Sequence, residues 1–366
     1  MCKWLARLED VYGPLRVFDS ITFRAALGMV SAFLIALLIG PRFIRFLSGL
    51  RVIEDVDKPH SATLEALHRD KGGTPTMGGL LLVSSILLGT LLFANLANPY
   101  VWAAVFALVG FAGLGFADDY VKLRRIGRHQ GLRGWTKFGL QMLLALALAG
   151  MLCRWGDRAY ATKIVLPGTK METFLPDLGL FYVPFVMIVL AGVSNAVNLT
   201  DGLDGLAAGL TTLVTFTFMV LAYAVGHREI AGYLRIPHVA WSGELTVFCA
   251  ITVGATLGFL WFNAHPARVF MGNTGSLALG GVIGFVALAI KQEFVLLIAG
   301  GVFVLEAISV ILQVGSFQMT GRRLFRCAPF HHHLQFSGWK ENHVVVRLWC
   351  IGIMLTALAL ATLKMH

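Results

Sequence analysis

A chain of 366 residues that is 57% hydrophobic and only 14% charged, with mean hydropathy +0.74, excludes an ordinary soluble domain, which is nearer half apolar and a quarter charged. The net charge of +10 at first suggests nucleic acid, but the basic residues border apolar spans, so anionic headgroups and phosphate-bearing substrates are the counter-ions expected, with no nucleic acid. Five scattered cysteines form no CxxC pair, which argues against a disulfide framework or a zinc site.

The segment before residue 21 carries Arg7, Glu9, Asp10 and Arg16 and has no apolar h-region, so no cleaved signal peptide is expected and the first span anchors the chain. Ten runs are long enough to cross about 30 Å of hydrocarbon. They fall near 21–41, 75–95, 100–117, 135–153, 181–199, 206–225, 242–262, 276–290, 294–314 and 344–363. Outside them, 164–174 reads as a short β-hairpin around Pro167-Gly168. The expectation is an all-α polytopic membrane protein of about ten transmembrane helices, a single domain over 1–366, with a short external hairpin and catalytic loops in the cytoplasm.

Orientation follows from Lys and Arg near the span ends. Arg42, Arg45, Arg51, Lys58, Arg69 and Lys71 follow the first span, and Lys122, Arg124, Arg125, Arg128, Arg133 and Lys137 the third. Arg268 follows the seventh, and Arg322, Arg323, Arg326, Lys340 and Arg347 the ninth. These loops hold more than half of the 30 basic residues, so they face the cytoplasm and both termini lie outside. Every polar cluster in the chain then reaches the same face.

The first cluster is Asp118-Asp119. Adjacent helical positions point about 100° apart, so two roles are implied, such as a metal ligand and a group facing the nucleophile. An interfacial pair balanced by Lys122, Arg124 and Arg125 is the competing reading. Next, Asn195, Asn198, Asp201 and Asp204 recur every three residues as a polar stripe, with Gly202 and Gly205 allowing close backbone approach to a ligand. A helix cap needs one such residue, and here there are four.

The turn Phe270-Met271-Gly272-Asn273-Thr274-Gly275-Ser276 reads as a phosphate- or nucleoside-facing helix start, or simply as a helix start. Lys71 through Gly79, with Thr74 and Thr76, reads as an anion site or an interface anchor. His331-His332-His333 lack the spacing of a metal motif; beside Arg322, Arg323 and Arg326 they read as a phosphate-handling loop. Glu306 is an intramembrane carboxylate and so a functional candidate, with no partner legible in the sequence.

Together Lys71…Thr74-Pro75-Thr76-Met77-Gly78-Gly79, Asp118-Asp119-Tyr120, the run Asn195 to Leu206, and Ala328-Pro329-Phe330-His331-His332-His333 resemble the bacterial phospho-N-acetylmuramoyl-pentapeptide transferase family over nearly the whole chain. That family sits within the polyprenyl-phosphate N-acetylhexosamine-1-phosphate transferases, and the triple histidine separates it from relatives that transfer N-acetylglucosamine phosphate. The resemblance implies ten transmembrane helices, a homodimer in the bacterial inner membrane, Mg²⁺, and a reaction of undecaprenyl phosphate with UDP-MurNAc-pentapeptide to give lipid I and UMP. It makes Asp118, Asp119 and His331 catalytic. Asn198, Asp201, Asp204, Asn263, Phe270 and Gln313 would line the nucleotide pocket, with Phe270 stacking on uracil. Lys71, Thr76, His332 and His333 would hold substrate, and Asp119 would serve the metal. One position departs: the family's Met-Gly-Asp metal-ligand turn reads Met271-Gly272-Asn273 here. Fold and substrate class survive that change, and full activity is what it puts at issue. Two rivals are a related UDP-GlcNAc transferase and a secondary transporter, whose polar site would sit nearer the midplane.

Overall fold

The computed structural model describes residues 13–50, 73–124, 131–156, 160–166 and 176–364. Lys71, Arg125, Arg128 and the tip of the expected hairpin lie outside the described residues. The long helices are α1 (Ile21–Gly49), α3 (Pro99–Arg124), α4 (Gly134–Trp155), α5 (Tyr182–Thr200), α6 (Leu206–Gly226), α8 (Glu244–Asn263), α9 (Gly272–Ala289), α11 (Gly301–Thr320) and α13 (Glu341–Ala361). Between them stand α2 (Gly79–Phe93) and three seven-residue helices, α7 (Arg228–Leu234), α10 (Glu293–Ala299) and α12 (Phe330–Phe336).

Nine helices among the described residues are long and apolar enough to cross a membrane, so the chain is a multi-pass membrane protein. The second expected span is the 15-residue α2. At 1.5 Å per residue it reaches only about 22 Å, because residues 75–78 stay out of the helix: Pro75 O accepts from Phe270 N–H and Gly78 N–H donates to Phe270 O. The expected ninth span, 294–314, is divided: α10 stops at Gly300 and the long helix runs from Gly301 to Thr320. At the other end of the bundle Lys163 and Asp177 form an isolated antiparallel bridge, with Ile164 N–H donating to Pro176 O (3.1 Å) and Leu178 N–H to Thr162 O (3.0 Å).

Helices α8 and α9 form the centre, with most of their residues buried, whereas α11 has few buried residues and faces outward. α8 packs against α1, α6 and α2, and α9 against α3 and α5. Small residues set these approaches, as expected where no hydrophobic force drives helices together in lipid. A β-carbon on Gly79 would stand 2.2 Å from the backbone N of Gly275, and one on Gly115 would stand 2.2 Å from the carbonyl O of Asn273. α2 and α3 thus press directly on the first turn of α9, the turn that carries the site.

At the end remote from that turn, a buried ion pair ties α1 to α8. Arg24 donates from both terminal nitrogens to Glu244 (2.6 and 2.8 Å) and also to Phe93 O (3.2 Å), and Asn95 N–H donates to the same carboxylate. Removing one partner of such a pair leaves a buried charge uncompensated, at a cost of about 3–5 kcal/mol. Arg24→Met is therefore expected to lower the thermal midpoint in detergent by many degrees. An unchanged midpoint in a fluorescence-based melt would show that the pair adds nothing.

Candidate functional site

Chain order brings the last turns of α3, the α5–α6 turn, the α8–α9 link and the α11–α13 segment to one end of the bundle. Asp118 and Asp119 close α3 there, only 3% and 6% exposed. As their helical offset predicts, they face different partners. Asp119 accepts from the backbone N–H of Asn273 (3.2 Å) and from the N–H and hydroxyl of Thr274 (2.9 and 2.7 Å). It holds the start of α9, where free N–H groups and the helix dipole favour a carboxylate. Gly272, at φ 71°, makes this approach feasible: a side chain there would meet Asp119 Oδ2 at 2.9 Å and the Thr76 hydroxyl at 3.2 Å.

Asp118 accepts from Lys122 Nζ (2.8 Å), from Leu132 N–H (2.8 Å) and from the side-chain amide of Asn273. Asn273 Oδ1 in turn accepts from Asn198 Nδ2 (2.7 Å), which also lies 2.8 Å from the Ser276 hydroxyl. The sequence-derived residues Asp118, Asp119, Asn198 and Asn273 are therefore one connected network. Asn195, read as part of the same stripe, points elsewhere and exchanges hydrogen bonds with Gln141 of α4.

Mg²⁺ requires oxygen ligands in near-octahedral array. Asp118 already faces an ammonium and two N–H donors, Asp119 faces α9, and Asn273 turns its N–H rather than its oxygen toward Asp118. As arranged, these side chains do not fit the ion. The neutral Asn273 closes the network with hydrogen bonds at the position where the resemblance implies a carboxylate.

A second group lies beyond the turn at 201–205. Asp204 Oδ2 meets His265 Nδ1 (3.0 Å) and accepts from Ala267 N–H (3.1 Å), while Asp204 N–H donates to Glu341 (2.9 Å). Asn263 braces the turn, accepting from Gly205 N–H (3.1 Å) and donating to Val269 O (2.9 Å). Asp204 and His265 open onto a cavity of about 300 Å³ completed by Asn342, Val345, Val346 and Trp349. Phe270 is pinned at its backbone to Pro75 O (2.9 Å) and Gly78 N–H (2.8 Å), its ring partly buried.

The three histidines occupy α12; the rings of His331 and His332 stand 4.2 Å apart between centroids, yet each histidine finds a different hydrogen-bond partner. His331 is wholly buried and meets Glu306 (3.1 Å), the partner the sequence could not name. His332 pairs with Gln335 (2.9 Å), and His333 accepts from Arg326 N–H (3.2 Å) among Phe325 and Phe330. Gln313 turns its amide to the 324–325 loop, donating to Phe325 O (3.0 Å) and accepting from Leu324 and Phe325 N–H. Sequence reasoning missed His265 and Glu341, which carry no local signal, whereas Thr274 and Ser276 stood in a run already singled out.

The sequence matches the family described as Glycosyl transferase family 4 over residues 101–291. A phospho-N-acetylmuramoyl-pentapeptide-transferase of Oleidesulfovibrio alaskensis (strain ATCC BAA-1058 / DSM 17464 / G20) is 48% identical over 353 residues, covering 96% of each chain. The fold and these matches define a polytopic membrane transferase. The chain belongs to glycosyl transferase family 4 and, within it, to the phospho-N-acetylmuramoyl-pentapeptide-transferases.

Proposed function

We propose that this chain transfers phospho-MurNAc-pentapeptide from UDP-MurNAc-pentapeptide to undecaprenyl phosphate, giving lipid I and UMP for peptidoglycan synthesis. The observation that carries the reading is the Asp118–Asn273–Asn198 network, with Asp119 anchoring α9, at one end of a membrane-embedded bundle whose relative bears that activity in its name. The enzyme works as a homodimer in the bacterial inner membrane, with this end in the cytoplasm beside the basic loops and both termini outside.

An oxygen of the lipid phosphate attacks the phosphorus that carries the sugar, a new P–O bond forms, and the P–O bond to UMP breaks. A phosphate monoester has its second pKa near ~6, so the lipid phosphate is largely dianionic at neutral pH and needs little help from a base. Asp118 orients it or takes its remaining proton. Lys122 stands beside Asp118 and Lys137 lies within electrostatic reach, so both draw anionic groups to this end. Thr76 sits at the same turn, and Lys71, Asp201, His332 and His333 contribute to substrate binding. Mg²⁺ is the cofactor that the resemblance implies, and the side chains around Asn273 as arranged do not fit it.

Incubating the purified protein with undecaprenyl phosphate and UDP-MurNAc-pentapeptide, and in parallel with UDP-GlcNAc, tests the reading directly. UMP release is expected only with the muramoyl substrate. Release with UDP-GlcNAc alone would reassign the substrate, and a solute flux in vesicles without UMP would favour a transporter.

Phe270 is the expected uracil platform. Stacking of an aromatic ring on a base contributes roughly 1–3 kcal/mol, so Phe270→Ala should weaken uridine nucleotide binding about 5- to 150-fold and leave lipid affinity alone. Calorimetry showing unaltered nucleotide affinity would remove Phe270 from the pocket.

A further inference from the structure

Glu306 and His331 form a fully buried ionisable pair that the reaction as drawn does not use. Each is 0% exposed, Glu306 on α11 and His331 on α12. Glu306 Oε2 accepts from the backbone N–H of His331 (3.3 Å) and lies 3.1 Å from its ring Nδ1. Two contacts from one residue to one oxygen fix both where the imidazole sits and how it is turned. Nδ1 is thereby committed to the carboxylate, and the other ring nitrogen is the one left to act.

That nitrogen, Nε2, is buried and has no hydrogen-bond partner among the described residues. Its direction is fixed by Gly202: a β-carbon there would lie 2.3 Å from Nε2, 3.0 Å from Cε1 and 3.4 Å from Cδ2. Gly202 sits in the turn between Asn198, which joins the Asp118 network, and Asp204, which opens onto the 300 Å³ cavity. A group at this turn is close along the chain to both Asn198 and Asp204. In a nucleotide sugar, the diphosphate is what joins the two halves.

We propose that Glu306 is a positioning residue for the transfer: it holds His331 through Nδ1 and so presents Nε2 beside Gly202 to the diphosphate of the nucleotide sugar. This rests on the substrate reading above. In the bound complex the ring donates to two acceptors, Nδ1–H to Glu306 and Nε2–H to a phosphate oxygen, and the two bonds together fix its orientation. Gly202 supplies the clearance for the ring edge.

The test compares the affinity of uridine with that of UDP, by calorimetry, in the parent, Glu306→Gln and Glu306→Ala, each checked for an unchanged fold by melting. A hydrogen bond to a charged group contributes about 1.5–3 kcal/mol, so the expected loss of UDP affinity is about 10- to 150-fold with uridine affinity unchanged. Glu306→Gln keeps the volume and an accepting oxygen and should fall between the parent and Glu306→Ala. Nitrogen-15 spectra of labelled histidine should show the His331 Nδ1 proton of the parent lost or redistributed in Glu306→Ala, an effect a packing role would not produce. Gly202→Ala should weaken UDP to a similar degree, because a ring held by Glu306 cannot retreat from the new methyl. Uridine that binds the parent, with UDP affinity unmoved in all three variants, overturns the positioning role alone. A parent that binds neither uridine nor UDP overturns the substrate reading as well.

Discussion

Asp118→Asn is expected to lower turnover at least ~10²-fold while uridine nucleotide affinity stays within a factor of two, the lower range for a positioned catalytic group. The buried carboxylate of Asp118 faces three donors at once: Lys122, Leu132 N–H and the Asn273 amide. An asparagine there removes the charge that balances Lys122 and sets its own N–H₂ against one of those donors. Asp119→Asn should behave differently. Its carboxylate accepts three hydrogen bonds from the first turn of α9, and an amide offers a single accepting oxygen. That variant should lose both turnover and thermal midpoint, because the turn that carries Asn273 is released. UMP release and melting, measured on the two variants side by side, separate the roles. Near-normal turnover in both would leave Asp118 and Asp119 as a structural pair at the end of α3.

What the sequence disclosed of this fold came from the lipid. Apolar runs of membrane length are legible because every residue facing hydrocarbon must be apolar, and α4, α5, α6, α8 and α13 lie close to their expected bounds, whereas α1 and α3 run on past 41 and 117 to Gly49 and Arg124. The start of α2 and the break between α10 and α11 depend on what neighbouring segments cover, which hydropathy does not record. The site shows the same division. That Asp118 and Asp119 serve different partners followed from helical geometry alone. That Asp119 caps α9 did not, because its partners Asn273 and Thr274 lie some 150 positions away in the chain. The period-three polar stripe proved divided: Asn198 bonds to Asn273 and Asp204 to His265, whereas Asn195 satisfies Gln141 inside the bundle. Glu306 could be recognised as costly at membrane depth, but only the folded chain pairs it with His331.

Asn273→Asp should turn a hydrogen-bonded network into a cation site. In the present chain the amide donates to Asp118 and accepts from Asn198, so both neighbours are satisfied by a neutral side chain. An aspartate keeps the bond from Asn198 but opposes its carboxylate to that of Asp118 with no proton between them. Two carboxylates sharing a site cannot both stay ionised without compensation, and a divalent cation with oxygen ligands supplies it. Without metal, Asn273→Asp should therefore melt below the parent chain. Mg²⁺ should raise its midpoint far more than it raises the parent's. Loss of a partner that merely orients a metal ligand commonly costs 10–100-fold in metal affinity or activity. Supplying a missing ligand charge should accordingly gain about 10²-fold in turnover and shift the Mg²⁺ requirement to lower concentration. Metal binding can be read independently of turnover by calorimetry with Mg²⁺, or with Mn²⁺ by electron paramagnetic resonance. If both chains give the same rates across the Mg²⁺ titration and the same metal-dependent melting, position 273 is not a metal ligand in this protein, and Asn273 is simply the hydrogen-bonded link between Asp118 and Asn198.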